Sequence, residues 1–214
     1  MTRRVLILIG LVLTLVVPIL GSLKVIPEGL NLTIAGAPVG REMFWWGLVV
    51  VVLLYVLIVE RRSLTSIGFC RPTWQTFGFG ILAAFLLVSG ILTIYFVIFP
   101  FFHLKANAAA GSAIMGTPYW FRVLLVLRAA IGEEILFRGY PIERIGEWLG
   151  SRELGALIAW VAFTFAHLGY WGWAQLIVAG WGGLVLTALY LWRRDLVSNM
   201  VAHFLSDGSA FLLH

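Results

Sequence analysis

The chain is poor in two things that soluble domains have in quantity. Only 12% of its 214 residues are Asp, Glu, Lys or Arg, about half the usual share. It also has a single cysteine, Cys70, which excludes an internal disulfide and leaves no second thiolate for a zinc site. Beside that scarcity stand 61% hydrophobic residues and a mean hydropathy of +0.99. A globule of this size cannot hide so much apolar surface from water, so an ordinary soluble domain is excluded, as is a disordered chain. Basic residues exceed acidic ones, 15 to 10. They are scattered between apolar runs, without the clustered, aromatic-interleaved pattern that nucleic acid requires, and no nucleic-acid partner is expected.

Long uncharged runs dominate what is present. A bilayer core needs roughly 20 apolar residues per helix, and seven segments qualify or nearly so: Val5–Leu23, Met43–Val59, Pro72–Phe102, Tyr119–Tyr140, Leu154–Ala166, Ala174–Trp192 and Leu196–Leu213. The runs are continuous rather than alternating, which favours helices over a barrel. Ten Trp and six Tyr suit the lipid–water interface. The expected fold is all-α, a polytopic transmembrane helical bundle of about seven helices in contact with membrane lipids.

Counting positive charges orients it. With the N-terminus inside, the inner segments hold Arg3, Arg4, Arg61, Arg62, Arg71, Arg144, Arg152, Arg193 and Arg194, and the outer ones hold Lys24, Arg41, Lys105 and Arg122. This asymmetry predicts N-in, C-out. The first run also has the charged start and apolar stretch of a signal peptide, but no small-x-small site follows Pro18, so it reads as an anchor. Lys24–Glu42, with Gly, Pro and Asn, reads as a connector.

Ionisable residues are absent from the first three spans and concentrated after Arg122. Inside a membrane they are costly and mark function. In Glu133-Glu134-Ile-Leu-Phe-Arg138, the spacing of four lets Glu134 pair with Arg138. It also turns Glu133 about 100° away, free to act as a general base. Phe163 and His167 end an otherwise uncharged helix. His203 and Asp207, four apart, share a face with Asn199 one turn earlier. Glu133 lies 18 residues before the turn at Ser151 and His167 lies 16 after it, so both sit about 25 Å from that turn. His203 is only eight residues past the turn near Asp195. Bringing it to the same depth asks for a short or re-entrant outer connection at Gly169–Trp173.

These motifs, EExxxR, FxxxH and HxxxN/D in that order, resemble those of the CPBP (Abi) family of intramembrane CAAX prenyl proteases. The resemblance covers about Ala130–Leu213, which suggests a division into 1–118, N-terminal transmembrane helices and connectors, and 119–214, a CAAX-protease-like core. It implies an intramembrane endopeptidase acting on a peptide or protein substrate. Glu133 and His167 would activate water, while His203 and Asp207 would stabilise the oxyanion. Glu134, Arg138 and Phe163 would orient and pack the site. An ionised Asp207 would repel an oxyanion, so it must be protonated, orient His203 or bind a metal. Glu133, His167, His203 and Asp207 are also a possible ligand set for zinc or another divalent metal, although no HExxH is present. The alternatives are a non-proteolytic immunity or scaffold protein of the same family, and a proton-coupled transporter, which would call for repeats that the chain lacks. The compact size suggests a prokaryotic plasma membrane.

Overall fold

The computed structural model describes residues 2–25 and 31–213, so residues 26–30 of the expected connector lie outside it. Among the described residues the one β feature is an isolated bridge, Ile34 with Ala37. The long helices are α1 (Arg3–Ser22), α2 (Val39–Val59) and α3 (Trp74–Phe101). A short α4 (Ala108–Met115) precedes α5, which runs unbroken over 119–149. Then come α6 (Arg152–Ala166), the single turn α7 (Leu168–Trp171), α8 (Gln175–Arg193) and α9 (Leu196–Phe211). Each of the seven expected runs is helical, and the fold is an all-α bundle. α1, α2, α3, α8 and the stretch Arg152–Trp171 are long and apolar enough to cross a membrane. α2 starts earlier than the apolar pattern indicates, which brings Glu42 into its first turn.

The chain is an integral membrane protein, and its surface agrees. Phe85 and Phe96 on α3 are about three-quarters exposed. Water would make that unfavourable, whereas lipid does not. Backbone polar groups are satisfied inside the helices, as a bilayer demands.

Local chemistry sets the helix starts. Pro72 disfavours helix before it, and Thr73 with Thr76 forms a reciprocal cap on α3. Asp195 caps α9 by accepting from the Val197 and Ser198 amides, and its second oxygen accepts from Thr76 Oγ1 at 2.8 Å. One carboxylate thus ties the starts of α3 and α9 together. Gly150, with φ +76°, makes the turn out of α5, and Ser151 caps α6 through the Leu154 amide.

One end of the bundle is held by buried ions. Arg144 on α5 is fully buried and donates to Glu60 at 2.6 Å and to Ser66 Oγ at 3.0 Å. Tyr140 donates to the same Glu60 at 2.8 Å. Glu147 takes Arg62 at 2.8 Å and Arg3 at 3.0 Å. Burial pushes the Glu147 carboxyl up, but Arg62, Arg144 and Arg3 together outweigh it and hold it below the usual carboxylate range. These contacts join α1, α2 and α5.

The turn between α8 and α9 is fixed by a third ionic contact. Arg194 grips Glu143 through two hydrogen bonds of 2.5 and 2.7 Å. The turn therefore sits beside Glu143 on α5. His203 is nine residues beyond Arg194, and Glu134 is nine residues before Glu143, so the two meet at one depth. Of the two outer connections expected, short or re-entrant, the short one is found: 168–174 is one helical turn and a short link, and the ionic contact at the opposite end completes the register.

Candidate active site

α5 is not a regular α-helix where its carboxylates lie. Two π-helical stretches, Ala129–Glu133 and Ile135–Gly139, flank Glu134. Such widened turns, with i→i+5 hydrogen bonds, are common at functional sites. They change which side chains meet. Arg128 and Glu133, five apart, would be out of phase on an α-helix, yet here Arg128 Nη1 donates to Glu133 Oε1 at 2.8 Å. The expectation of a free Glu133 is therefore incorrect, because the helix it was phased on is wound differently.

Arg128 is itself held from a distant helix. Its Nε donates to Glu42 Oε2 on α2 at 3.2 Å, and its guanidinium lies 5.7 Å from the Trp45 ring centroid. Neither Glu42 nor Arg128 stands out in the sequence as a site residue. Arg128 is one of several charges in its run, and Glu42 looks like the end of a connector.

Glu134 pairs with Arg138 as expected, at 2.8 Å with both side chains fully buried. It does more than that. The same Oε1 accepts from His203 Nδ1 at 2.8 Å, and Oε2 accepts from Asn199 Nδ2 at 3.1 Å. Asn199 Nδ2 also reaches the Leu186 carbonyl at 2.7 Å. One carboxylate thus joins α5 to α9 and sets the position of His203. Arg138 in turn lies over the buried Phe163 ring, 3.9 Å from its centroid, so Phe163 connects α6 to the same cluster.

His167 stands at the end of α6. Its Nδ1 is 2.8 Å from the Phe163 carbonyl. A carbonyl only accepts, so Nδ1 carries the proton and, in the neutral ring, Nε2 presents a lone pair. That Nε2 is 3.9 Å from Glu133 Oε2. This separation is too long for a direct hydrogen bond and suits two acceptors sharing one water molecule. His203 Nε2 lies 3.5 Å from Asp207 Oδ2.

Six of these groups, Glu42, Arg128, Glu133, His167, His203 and Asp207, open on one cavity of about 930 Å³. The rest of its lining is mostly apolar, from α3, α4, α8 and α9. The three sequence motifs thus converge, as their residue types required. Glu134, Arg138 and Phe163 stand behind the cavity wall or at its edge, in contact with the groups that face it.

The same geometry bears on metal binding. Among the described residues no three or more His, Cys, Asp or Glu side chains are placed to hold a metal ion. The reason lies in the partners. His203 offers one nitrogen to Glu134 and faces Asp207 with the other, while Glu133 Oε1 is taken by Arg128. The set Glu133, His167, His203 and Asp207 does not fit a metal as arranged.

Residues 115–209 match the family model described as Rce1-like, the type II CAAX prenyl endopeptidases. This is the family that the three motifs resemble, and the matched stretch holds all of them. It covers just under half of the chain. No curated protein and no solved structure matches the chain significantly.

Proposed function

We propose that this chain, which carries a region similar to the Rce1-like CAAX prenyl endopeptidases over 115–209, hydrolyses a peptide bond inside the membrane with water activated by Glu133 and His167. The matched family is one of proteases. The observation that carries the specific reading is the facing pair on the cavity wall, Glu133 Oε2 and His167 Nε2 at 3.9 Å, with the tautomer of His167 set by the Phe163 carbonyl.

In this reading a water donates one hydrogen bond to each acceptor and presents a lone pair to the scissile carbonyl. Glu133 takes the proton as the oxygen attacks, and later gives it to the leaving amine. Water is consumed and the products are a new carboxyl and a new amine. Charge develops on the carbonyl oxygen, and the donor we assign to it is Nε2 of His203 in its imidazolium form, since Nδ1 already donates to Glu134. Glu134 holds His203 from behind through Nδ1. Asp207 takes the orienting role, 3.5 Å from Nε2. The largely apolar remainder of the cavity lining suits an apolar substrate segment.

We place the protein in a prokaryotic plasma membrane on its compact size, with its N-terminus inside on the asymmetry of its basic residues. The test of the function uses purified protein in nanodiscs and an internally quenched peptide ending in a CAAX sequence, with and without a farnesyl group. Wild type is expected to cleave at least one of them and to keep its rate in EDTA, and His167→Ala is expected to be inactive. Cleavage that EDTA abolishes would replace water activation by Glu133 and His167 with a metal-dependent route. An active His167→Ala would remove that residue from the mechanism.

A further inference from the structure

We infer that Arg128, anchored by Glu42, is a positioning residue that reserves one oxygen of Glu133 and so presents the other to His167. The inference rests on the peptidase reading of the cavity and adds to it a residue pair that joins two halves of the chain. A glutamate's terminal torsion is soft and roughly two-fold. Left alone, the Glu133 carboxylate could rotate either oxygen toward His167, or swing away from it. Arg128 Nη1 takes Oε1 at 2.8 Å, which leaves Oε2 on the side of His167 Nε2.

Arg128 is a long, flexible side chain and needs an anchor of its own. Glu42 Oε2 provides it by accepting from Nε at 3.2 Å, and Trp45, one turn further along α2, stacks near the same guanidinium. The three charged side chains are all mostly buried, 4% exposed for Glu42, 11% for Arg128 and 16% for Glu133. At such depth a guanidinium shared by two carboxylates holds a fixed geometry better than an exposed pair would. Glu42 lies on α2, outside 115–209, so the base of the proposed reaction is aimed partly by the N-terminal half of the chain. Of the Glu133–His167 pair that faces the reaction, Arg128 donates to Glu133 alone, while Glu42 accepts from Arg128; both act through Glu133.

The test compares kcat and KM of Arg128→Met, Arg128→Lys, Glu42→Ala and Glu42→Gln on the quenched CAAX peptide in nanodiscs. A misplaced catalytic group costs about 100-fold. Arg128→Met is expected to lower kcat by about that factor with KM changed less than about threefold. Arg128→Lys should retain more activity than Arg128→Met, since it keeps a charged donor. Glu42→Ala should lose kcat, and Glu42→Gln, which still offers an oxygen to Nε, should lose less. A melting temperature lowered by Arg128→Met with kcat unchanged would mean a merely structural ion pair and overturn the inference. The link is also read without turnover, from the melting temperatures of Glu42→Ala, Glu133→Gln and the double variant. Non-additive shifts are expected if Arg128 connects the two, and additive shifts overturn the proposal. If wild type cleaves neither peptide, the peptidase reading fails, and the melting cycle still decides whether Arg128 couples Glu42 to Glu133.

Discussion

Glu134, itself fully buried, accepts from Arg138, His203 and Asn199. Arg138 Nε and Nη2 are already buried without hydrogen-bond partners, so Glu134 is the main compensation for that guanidinium. Glu134→Ala would strand a buried cation, and breaking such a pair costs about 3–5 kcal/mol. A large fall in melting temperature is expected, together with lost activity. Glu133→Ala should differ: Arg128 keeps Glu42, the site opens on a cavity, and the melting temperature should change far less. Thermal melts of the two purified variants in one detergent check the contrast; equal losses would contradict it. The Glu134–Arg138 pair was legible in the sequence because a spacing of four puts two residues on one helical face. The Arg128–Glu133 pair was not, because a spacing of five meets only where turns widen, and nothing in 129–139 announces that widening. Glu42 was out of reach for another reason: its partner is 86 residues away, and only packing brings them together.

The helices themselves were legible because a bilayer leaves the chain one way to satisfy its backbone within each apolar run. Their relative heights were not. Loop lengths suggested that His203 fell short of Glu133 and His167, whereas the Arg194–Glu143 contact raises the whole α8–α9 turn. Arg194 looked like topology information, and its ion pair is a tertiary fact. Close crossings make a separate prediction. A Cβ on Gly139, at the end of the second π-helical stretch, would lie 2.7 Å from the Ile67 carbonyl oxygen, which is backbone and cannot step aside. Gly139→Ala should therefore destabilise by about 1–3 kcal/mol through overpacking. Gly47 on α2 has nothing within 4 Å of the same position, and Gly47→Ala should be neutral or stabilising by about 0.5–1 kcal/mol. Chemical denaturation of both variants beside wild type reads the difference, and a stable Gly139→Ala would show that the α5 contact with the 64–67 turn gives way easily.

At the scale of the molecule the two halves of the chain are packed as one. The largest apolar cluster includes Leu15, Trp45 and Val52 from the N-terminal helices and Ile135, Phe163 and Tyr190 from the C-terminal ones. The family match ends at 115 on its N-terminal side, while the side-chain network continues through Arg128 to Glu42 and through Arg144 to Glu60. The ionic end of the bundle gives the molecule an acid sensitivity. The Glu147 carboxyl has a folded pKa below its ordinary 4.5. Its contribution to stability is therefore complete above that value and is lost as pH falls through the lower folded one. Melting temperatures measured from neutral to acidic pH should fall in that window, and Glu147→Gln should flatten part of the fall; an unchanged profile in the variant would assign the sensitivity elsewhere. The central claim, that Glu133 is the base which activates water, is tested most directly by one rate. Glu133→Gln keeps the shape and the hydrogen-bonding oxygen but cannot take a proton. Its initial rate on the quenched peptide, measured at a melting temperature matched to wild type, should be undetectable, and cleavage at the wild-type rate would contradict the account.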